Sequence, residues 1–267
     1  MTFLRQRVSV KEQSTSVRRS VSSSAAVPVR RILSIDIGAT GMKAAIIDRN
    51  GAFISERRRV KTPPMCPPKT MVKMLIDLVE PFSGYQRVSI GFPGMVRDGI
   101  IRTAPNLGTQ QWAKFKFAAI MEKHLKRPTQ VHNDADVQGL AAISGKGLEL
   151  VCTLGTGLGT AWFRDGELMP HMDLSHMAIH PEHDFDHHIG DKALKRIGKK
   201  EWNKRVKTLI ATLQSVFLYD RLYFGGGNAR CIDFDLPKNV RAVSNELGIA
   251  GGAFVWVARR AKKSNAR

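Results

Sequence analysis

The sequence predicts an α/β protein made of two related lobes with a cleft between them. An apolar strand, a Gly/Thr-rich turn, a second strand and a polar-Gly turn occur in residues 32–51 and again in residues 149–166. Between and after these repeats, apolar residues recur at helical spacing, so helices and strands mix along the chain. A strand-turn-strand unit that occurs twice in such a chain favours two duplicated lobes facing each other.

Length and composition are those of a globular protein with a real core. The chain has 267 residues, of which 43% are hydrophobic and 24% charged, enough for one large domain or two small ones. This composition excludes disorder over the whole length, and no apolar run approaches the ~20 residues that cross a bilayer. The three cysteines, Cys66, Cys152 and Cys231, are too widely separated for a disulfide framework. They predict a reducing compartment, and we expect a cytoplasmic protein without a membrane partner.

The net charge of +19 is strongly basic. Part of it lies in the Ser- and Arg-rich residues 1–31, which lack any periodicity and predict a disordered basic tail, and part in residues 259–267. The body between them is still basic. Such a body indicates a polyanionic partner, namely nucleic acid, an anionic surface or a phosphate-rich substrate, or else a solubilising surface charge.

The first half of the chain opens with a strand at residues 32–37, the turn Gly38-Ala39-Thr40-Gly41 and a strand at residues 42–48. The hairpin turn Arg49-Asn50-Gly51 leads to a third strand at residues 52–60, because Asn-Gly tolerates positive φ angles. Four prolines make residues 62–68 an irregular loop. Periodicity then predicts a helix at 71–82, a strand at 88–92, a helix at 115–126, a strand at 128–132 and a helix at 135–144.

The second half repeats the opening pattern. A strand at 149–154, the turn 155–159 and a strand at 160–163 precede a long helix at 202–219, a strand at 221–224 and a last helix at 247–261. We therefore expect a tail at 1–31, an N-terminal lobe at 32–134 and a C-terminal lobe at 135–267. The last helix is expected to pack back on the N-terminal lobe.

Three glycine-rich turns follow predicted strands. A phosphate group needs several backbone N–H donors pointing one way with no side chain in between, and glycine permits both. One such turn is commonly only a turn, but its occurrence in both lobes favours phosphate binding. Neither Gly/Thr turn opens a helix, which excludes a Walker-type loop and a dinucleotide fingerprint. The candidate phosphate-binding residues are Gly38, Thr40, Gly41, Gly155, Thr156, Gly157, Gly159, Gly225, Gly226 and Gly227.

Charged side chains lie near these turns. Asp36 could hold magnesium beside the phosphates, directly or through water, and Lys43 could supply a positive charge. In the segment 132–136, either Asp134 or Asp136 is expected to cap the following helix. The other acid is then free to face the cleft and to accept a proton from a substrate hydroxyl. The histidines at 171–188 lack the fixed spacing and cysteines of zinc sites and are interpreted as solvated or hydrogen-bonding side chains.

Taken together, these motifs resemble the ROK family of sugar kinases from residue 32 to about 257, and most closely its polyphosphate glucokinase branch. The residues that carry the resemblance are Ile35-Asp36-Ile37-Gly38 with Lys43, Phe92-Pro93-Gly94, Arg102-Thr103-Ala104 with Asn106, Asn133-Asp134-Ala135-Asp136, the 154–159 turn and the 225–227 turn. The resemblance implies an actin-like, ribonuclease H-like fold with a central cleft. It also implies Asp134 as the general base, and a sugar site formed by Gly94, Asn106, Asn133, Asp134, Asp173 and His176.

The activity that the resemblance implies is phosphoryl transfer from polyphosphate, ATP or both to the 6-hydroxyl of glucose or a related hexose. Mg²⁺ as cofactor and a homodimer are implied with it. Three residues depart from the family pattern: Ala39 and Ser175 replace glycines, and Asp173 replaces a glutamate. They keep two alternatives open, a degenerate kinase and a sugar-sensing regulator. The tail is too short for the DNA-binding domain of ROK repressors, so no specific nucleic-acid partner is expected.

Overall fold

The computed structural model describes residues 31–180 and 183–257. The predicted tail therefore lies outside the described residues except for Arg31, and so does the end of the predicted last helix. Two five-stranded mixed sheets organise the described chain. Within this part of the chain, no helix is long and apolar enough to cross a membrane.

The first sheet has β1 at its centre, antiparallel to β2 and parallel to β4, with β3 and β7 as its edges. Its core packs α1 and α3 on the sheet, and the buried aromatic side chains of Phe92, Trp112 and Phe117 contact one another within it. The elements are, in chain order, β1 (Ile32–Ile37), β2 (Met42–Ile47), β3 (Arg58–Val60), α1 (Pro68–Val79), β4 (Arg87–Phe92), β5 (Val96–Arg97), β6 (Ile100–Ile101), α2 (Thr109–Trp112), α3 (Phe117–Leu125) and β7 (Thr129–Asn133).

The second sheet repeats this arrangement, with β8 antiparallel to β9 and parallel to β13 at its centre, and β10 and β14 at its edges. Helix α6 packs on it through Trp202, Val206 and Leu209. The elements are α4 (Asp134–Ala142), β8 (Leu148–Leu154), β9 (Leu158–Arg164), β10 (Glu167–Leu168), β11 (Ala178–His180), β12 (His183–Asp184), α5 (Phe185–Ile189), α6 (Asp191–Phe217), β13 (Arg221–Gly225), β14 (Val240–Ala242) and α7 (Leu247–Ala250).

Three predicted elements differ from the structure by more than three residues at one end. The third strand covers only Arg58–Val60, because the Ser55 hydroxyl accepts the Ile46 N–H at 2.9 Å and so takes a donor that a continuous ladder would need. The long helix begins earlier, at Asp191, and is bent at Gly198, whose φ of 74° is not helical. The predicted helix at 247–261 is instead α7 followed by a 3₁₀ turn at Gly251–Ala253, where paired glycines disfavour a continuous α-helix.

The segment after β14 crosses back to the first sheet. The hydroxyl of Ser34 donates to the Ile249 carbonyl at 2.7 Å, and that of Ser89 donates to the Gly252 carbonyl at 2.6 Å. Ile249 packs with buried side chains of β1 and β2, and α7 also contacts α4. These contacts join the two sheets through α4 and α7, and the N-terminal ends of both helices face the cleft between the sheets. The lobe boundary at Asp134 stays a prediction.

Candidate active site

A cavity of about 350 Å³ is lined by residues from both sheets. Its walls are the turns that follow β1 and β8, the N-terminus of α4 and the loop after β10. Most residues predicted for the site line this one cavity: Asp36, Gly38, Thr40, Gly41, Lys43, Gly94, Asn106, Asn133, Asp134, Gly155, Thr156, Gly157, Gly159, Asp173, Gly226 and Gly227. The fold thus brings together residues that lie as much as 191 positions apart in the chain.

Two predicted site residues lie elsewhere. Gly225 is buried behind the cavity, where the side chain of Gln138 covers its Cα. His176 is exposed, and its Nδ1 makes a 3.3 Å hydrogen bond with Asp184. Ser175, immediately before His176, lines the cavity instead.

The N-terminus of α4 is capped by Asn133, not by either aspartate. Its Oδ1 accepts the N–H of Ala135 at 2.8 Å and that of Asp136 at 3.4 Å, and its Nδ2 donates to the Gly94 carbonyl at 3.0 Å. The expectation that Asp134 or Asp136 caps the helix is therefore wrong. An asparagine supplies the same acceptor oxygen and leaves both carboxylates for other contacts.

Asp134 stands at the first position of α4, partly buried in the cavity wall. Burial raises the pKa of its carboxyl to about 7, and the negative charge of Asp36 acts in the same direction, while the N–H of Ala135 opposes the shift. A carboxyl with this pKa is about half ionised at neutral pH and is a much stronger base than an exposed aspartate. Such a group in a cavity is suited to accept a proton from a bound hydroxyl.

Asp36, Lys43 and Arg59 form a row across the first sheet. They are direct cross-strand neighbours, with Asp36 opposite Lys43 and Lys43 opposite Arg59, so all three lie on the sheet face toward the cavity. Lys43 Nζ donates to Asp36 Oδ2 at 2.9 Å. The Arg59 guanidinium lies over Gly41 and makes no hydrogen bond or ion pair within the described chain. The sequence analysis missed Arg59, whose signal was its position opposite Lys43.

The first turn is closed by its own backbone. The N–H of Gly38 donates to the Gly41 carbonyl at 3.1 Å, and the Thr62 hydroxyl donates to the Gly38 carbonyl at 2.8 Å. Ala39 does not adopt a positive φ. The methyl group that departs from the family pattern therefore requires no backbone strain here.

The second turn is held from outside by side chains that sequence analysis did not identify. Asp186 Oδ1 accepts the N–H of Leu158 at 2.7 Å, and Asn228 Nδ2 donates to the Gly155 carbonyl at 3.2 Å. The N–H of Asp191 also donates to the Gly155 carbonyl, at 2.9 Å. Together these contacts fix the turn from α5, α6 and the 3₁₀ turn at Gly227–Cys231.

In the loop after β10, His171 lines the cavity and pairs with Asp136 of α4. Its Nδ1 lies 3.0 Å from Asp136 Oδ1, and both side chains are buried. Two residues further on, Asp173 lines the cavity and accepts the N–H of Ser175 at 2.9 Å. Among the described histidine side chains of residues 171–188, His171 is the one that lines the cavity.

The donor set of the cavity suits magnesium bound together with phosphate groups. Among residues 31–180 and 183–257, no three His, Cys, Asp or Glu side chains form a group that could hold a metal ion by themselves. Asp36 uses Oδ2 for Lys43, which leaves its other oxygen for an ion or for an ion-bound water. Mg²⁺ is commonly bound in this way, by one or two carboxylates, several waters and substrate phosphates.

Residues 32–182 match the ROK family. The polyphosphate glucokinase of Mycobacterium leprae (strain TN) is 28% identical over 246 residues, which cover 85% of this chain and 75% of that protein. The crystal structure of the inorganic polyphosphate/ATP-glucomannokinase from Arthrobacter sp. strain KM is 30% identical, with a TM-score of 0.78, and the match covers 86% of this chain and 99% of that one.

A ROK family glucokinase from Streptomyces griseus, solved in complex with glucose and AMPPNP, is 18% identical, with a TM-score of 0.71, and the match covers 86% of this chain and 99% of that chain. At this identity the likeness concerns the fold alone. These structural matches confirm the predicted two-lobed, actin-like α/β fold with its central cleft.

Proposed function

The chain belongs to the ROK family and is a sugar kinase, and we propose that it transfers a phosphoryl group from polyphosphate, ATP or both to the 6-hydroxyl of glucose or a related hexose. The observation that carries the proposal is the position of Asp134. Its carboxyl, with a pKa raised to about 7 by burial, lines the same cavity as the two Gly/Thr turns. A base beside two phosphate-binding turns is the arrangement that transfer to an alcohol requires.

On the acceptor side, Asn106 and Asp173 would hold sugar hydroxyls while Asp134 faces the 6-hydroxyl. As the 6-oxygen attacks the terminal phosphorus of the donor, Asp134 takes the hydroxyl proton, and the bond from phosphorus to the donor's bridging oxygen breaks. Asp173 is one methylene shorter than the glutamate of the family, so it reaches a sugar hydroxyl differently or through water.

On the donor side, the backbone N–H groups of the two turns would bind phosphate oxygens. Lys43 and Arg59 would neutralise their charge, since both lie on the cavity side of the first sheet. Magnesium near Asp36 would add further neutralisation of the donor phosphates. Catalysis of this kind consists mainly of positioning and charge stabilisation, and closure of the cleft would exclude water from the donor.

Two features support polyphosphate as a donor. The chain is basic, and Arg59 brings to the first turn a cation without a partner in the described residues. The direct test supplies glucose, mannose and N-acetylmannosamine with polyphosphate or ATP and measures the sugar phosphate formed. We expect glucose 6-phosphate from polyphosphate. Strict use of ATP would remove the polyphosphate proposal, and sugar binding without product from either donor would favour a regulator or a degenerate kinase.

Replacing Arg59 by glutamine should raise the KM for polyphosphate about tenfold, because one charge-assisted contact to phosphate is lost. The KM for glucose should stay unchanged. Steady-state kinetics at two salt concentrations measure both values, and the variant should lose part of the salt dependence of the donor KM. Arg58→Gln is the matched control, since Arg58 lies on the opposite face of β3 and does not line the cavity. Equal effects of the two substitutions would contradict a specific role for Arg59.

The raised pKa of Asp134 predicts the pH dependence of the reaction. The base works only when ionised, so kcat/KM for the hexose should rise with pH and level off above about 7, the pKa of the Asp134 carboxyl. An ordinary aspartate would give a flat profile over this range. The residual activity of Asp134→Asn serves as the control, and its profile should not contain this step. A wild-type profile that is flat between pH 5.5 and 8 would contradict the assignment.

A further inference from the structure

His171 is a buried histidine with only one of its two ring nitrogens in use. It lies in the loop after β10 and lines the cavity together with Asp134 and Asp173. Its side chain is only 9% exposed, and Nδ1 is held 3.0 Å from Asp136 Oδ1. Nε2 is buried and has no hydrogen-bond partner within the described chain.

A buried ring nitrogen without a partner costs free energy, and native structures leave few such groups unsatisfied. Ring nitrogens of this kind usually meet a ligand atom or an ordered water. The charged side chains near His171 are Asp136, Asp173 and Asp134, and the last two are proposed to face the sugar. The hydrogen-bond partner that His171 Nε2 lacks is therefore best supplied by the acceptor sugar.

We propose that His171 contacts the acceptor sugar, with Nε2 hydrogen-bonded to a sugar hydroxyl, and that Asp136 positions the imidazole ring for this contact. The inference rests on the proposed function and identifies a further specificity-determining residue. It also gives a role to Asp136, the acid that neither caps α4 nor serves as the proposed base.

The chemistry of the pair fits a hydroxyl in both charge states of the ring. Asp136 on Nδ1 keeps a proton on that nitrogen. In the neutral ring, Nε2 then accepts a hydrogen bond, and in the imidazolium it donates one. A hydroxyl can form a hydrogen bond with Nε2 in either state because it is both donor and acceptor. A sugar with several hydroxyls is thus a suitable partner, whereas an unprotonated phosphate oxygen could form a hydrogen bond only with the charged ring.

Asparagine and glutamine separate the two ring nitrogens. The amide of asparagine lies near the position of Nδ1 and can keep the contact to Asp136, but it has no atom at the position of Nε2. The amide of glutamine reaches the position of Nε2. We therefore expect His171→Asn to weaken glucose binding by about tenfold or more, the usual effect of losing one buried hydrogen bond, and His171→Gln to weaken it much less.

The measurement is calorimetric titration of the full chain with glucose in the absence of donor, with thermal unfolding of each variant. A purely structural role would give the opposite pattern, in which His171→Asn keeps wild-type glucose affinity. That result, with both variants folded, would overturn the proposal. A wild-type chain that binds no hexose would overturn the proposed function and this proposal together, whereas wild-type binding that His171→Asn leaves unchanged overturns this proposal alone.

Deoxy sugars identify the hydroxyl and test the positioning role. The deoxy glucose that lacks the contacted hydroxyl should bind the wild-type chain about tenfold more weakly than glucose does. The His171→Asn variant should bind this deoxy glucose and glucose with equal affinity. Asp136→Asn should weaken glucose binding in the wild-type background and have no further effect in the His171→Asn background. Additive effects in both cycles would contradict the contact and the pairing.

Discussion

Replacing Asp134 by asparagine is expected to lower kcat by about a thousandfold while leaving the fold intact. General-base catalysis typically contributes 10²–10⁴-fold, and an amide cannot accept the hydroxyl proton. The substitution keeps the size of the side chain, and its carbonyl oxygen can still accept the N–H of Ala135, which lies 2.9 Å from Asp134 Oδ1. Glucose binding should therefore change far less than kcat. The measurement is product formation from polyphosphate and ATP under saturating glucose.

The same variant should be more stable than the wild-type chain at alkaline pH. Because burial and Asp36 raise the pKa of the Asp134 carboxyl to about 7, the folded chain binds this proton more tightly than the unfolded chain. The stability of the wild-type chain consequently falls as pH rises from about 4 to about 7, and stays lowered above that. Asparagine removes this penalty. The difference in unfolding temperature should favour Asp134→Asn at pH 8 and vanish near pH 4.

Near-normal turnover by this variant, in preparations free of wild-type enzyme, would contradict the assigned base. A loss of activity accompanied by a lower unfolding temperature at pH 8 would indicate a structural effect instead. The expected combination of lower activity and higher stability is the signature of a functional group held in an unfavourable environment.

The glycine turns could be predicted from sequence because their function depends on local backbone chemistry. Strand, turn and strand follow one another directly, and glycine is needed where a ligand approaches the backbone. The duplication of this unit also predicted the two sheets. The strand-to-helix junction placed Asp134 or Asp136 near the cavity, and only the family resemblance singled out Asp134. The cap could not be assigned, since Asn133 and the two aspartates carry equivalent acceptor oxygens at neighbouring positions.

The supporting residues could not be predicted, because they depend on contacts distant in sequence. Asp186 holds the N–H of Leu158 from 28 residues away, and Asn228 holds Gly155 from 73 residues away. Likewise, His171 and His176 belong to one segment, and only the path of the loop decides which one enters the cavity. No sequence period marks such a path, since the segment is irregular between β10 and β11.

Gly226→Ala is expected to destabilise the folded chain strongly without changing any charge in the cavity. Gly226 adopts φ 81° and ψ 170°, a region essentially restricted to glycine. A Cβ there would lie 2.7 Å from the backbone nitrogen and 2.8 Å from the carbonyl carbon of Leu154, which no side-chain movement can relieve. Backbone strain and overpacking each cost about 1–3 kcal/mol. The unfolding temperature should fall by about 10 °C.

The Gly226→Ala substitution should weaken donor binding more than sugar binding. Leu154 ends β8 and leads directly into the second turn, and Asn228, two residues after Gly226, holds the Gly155 carbonyl of that turn. A shift of Leu154 or of Asn228 would move the backbone N–H groups of the second turn that are proposed to bind phosphate. The KM for polyphosphate should therefore rise by a larger factor than the dissociation constant for glucose. Gly227→Ala is the matched control for stability, because nothing lies within 4 Å of its Cβ and its φ is not positive. Equal unfolding temperatures for the two variants would contradict the close packing of the 225–227 turn against Leu154, on which the expected loss of donor binding depends.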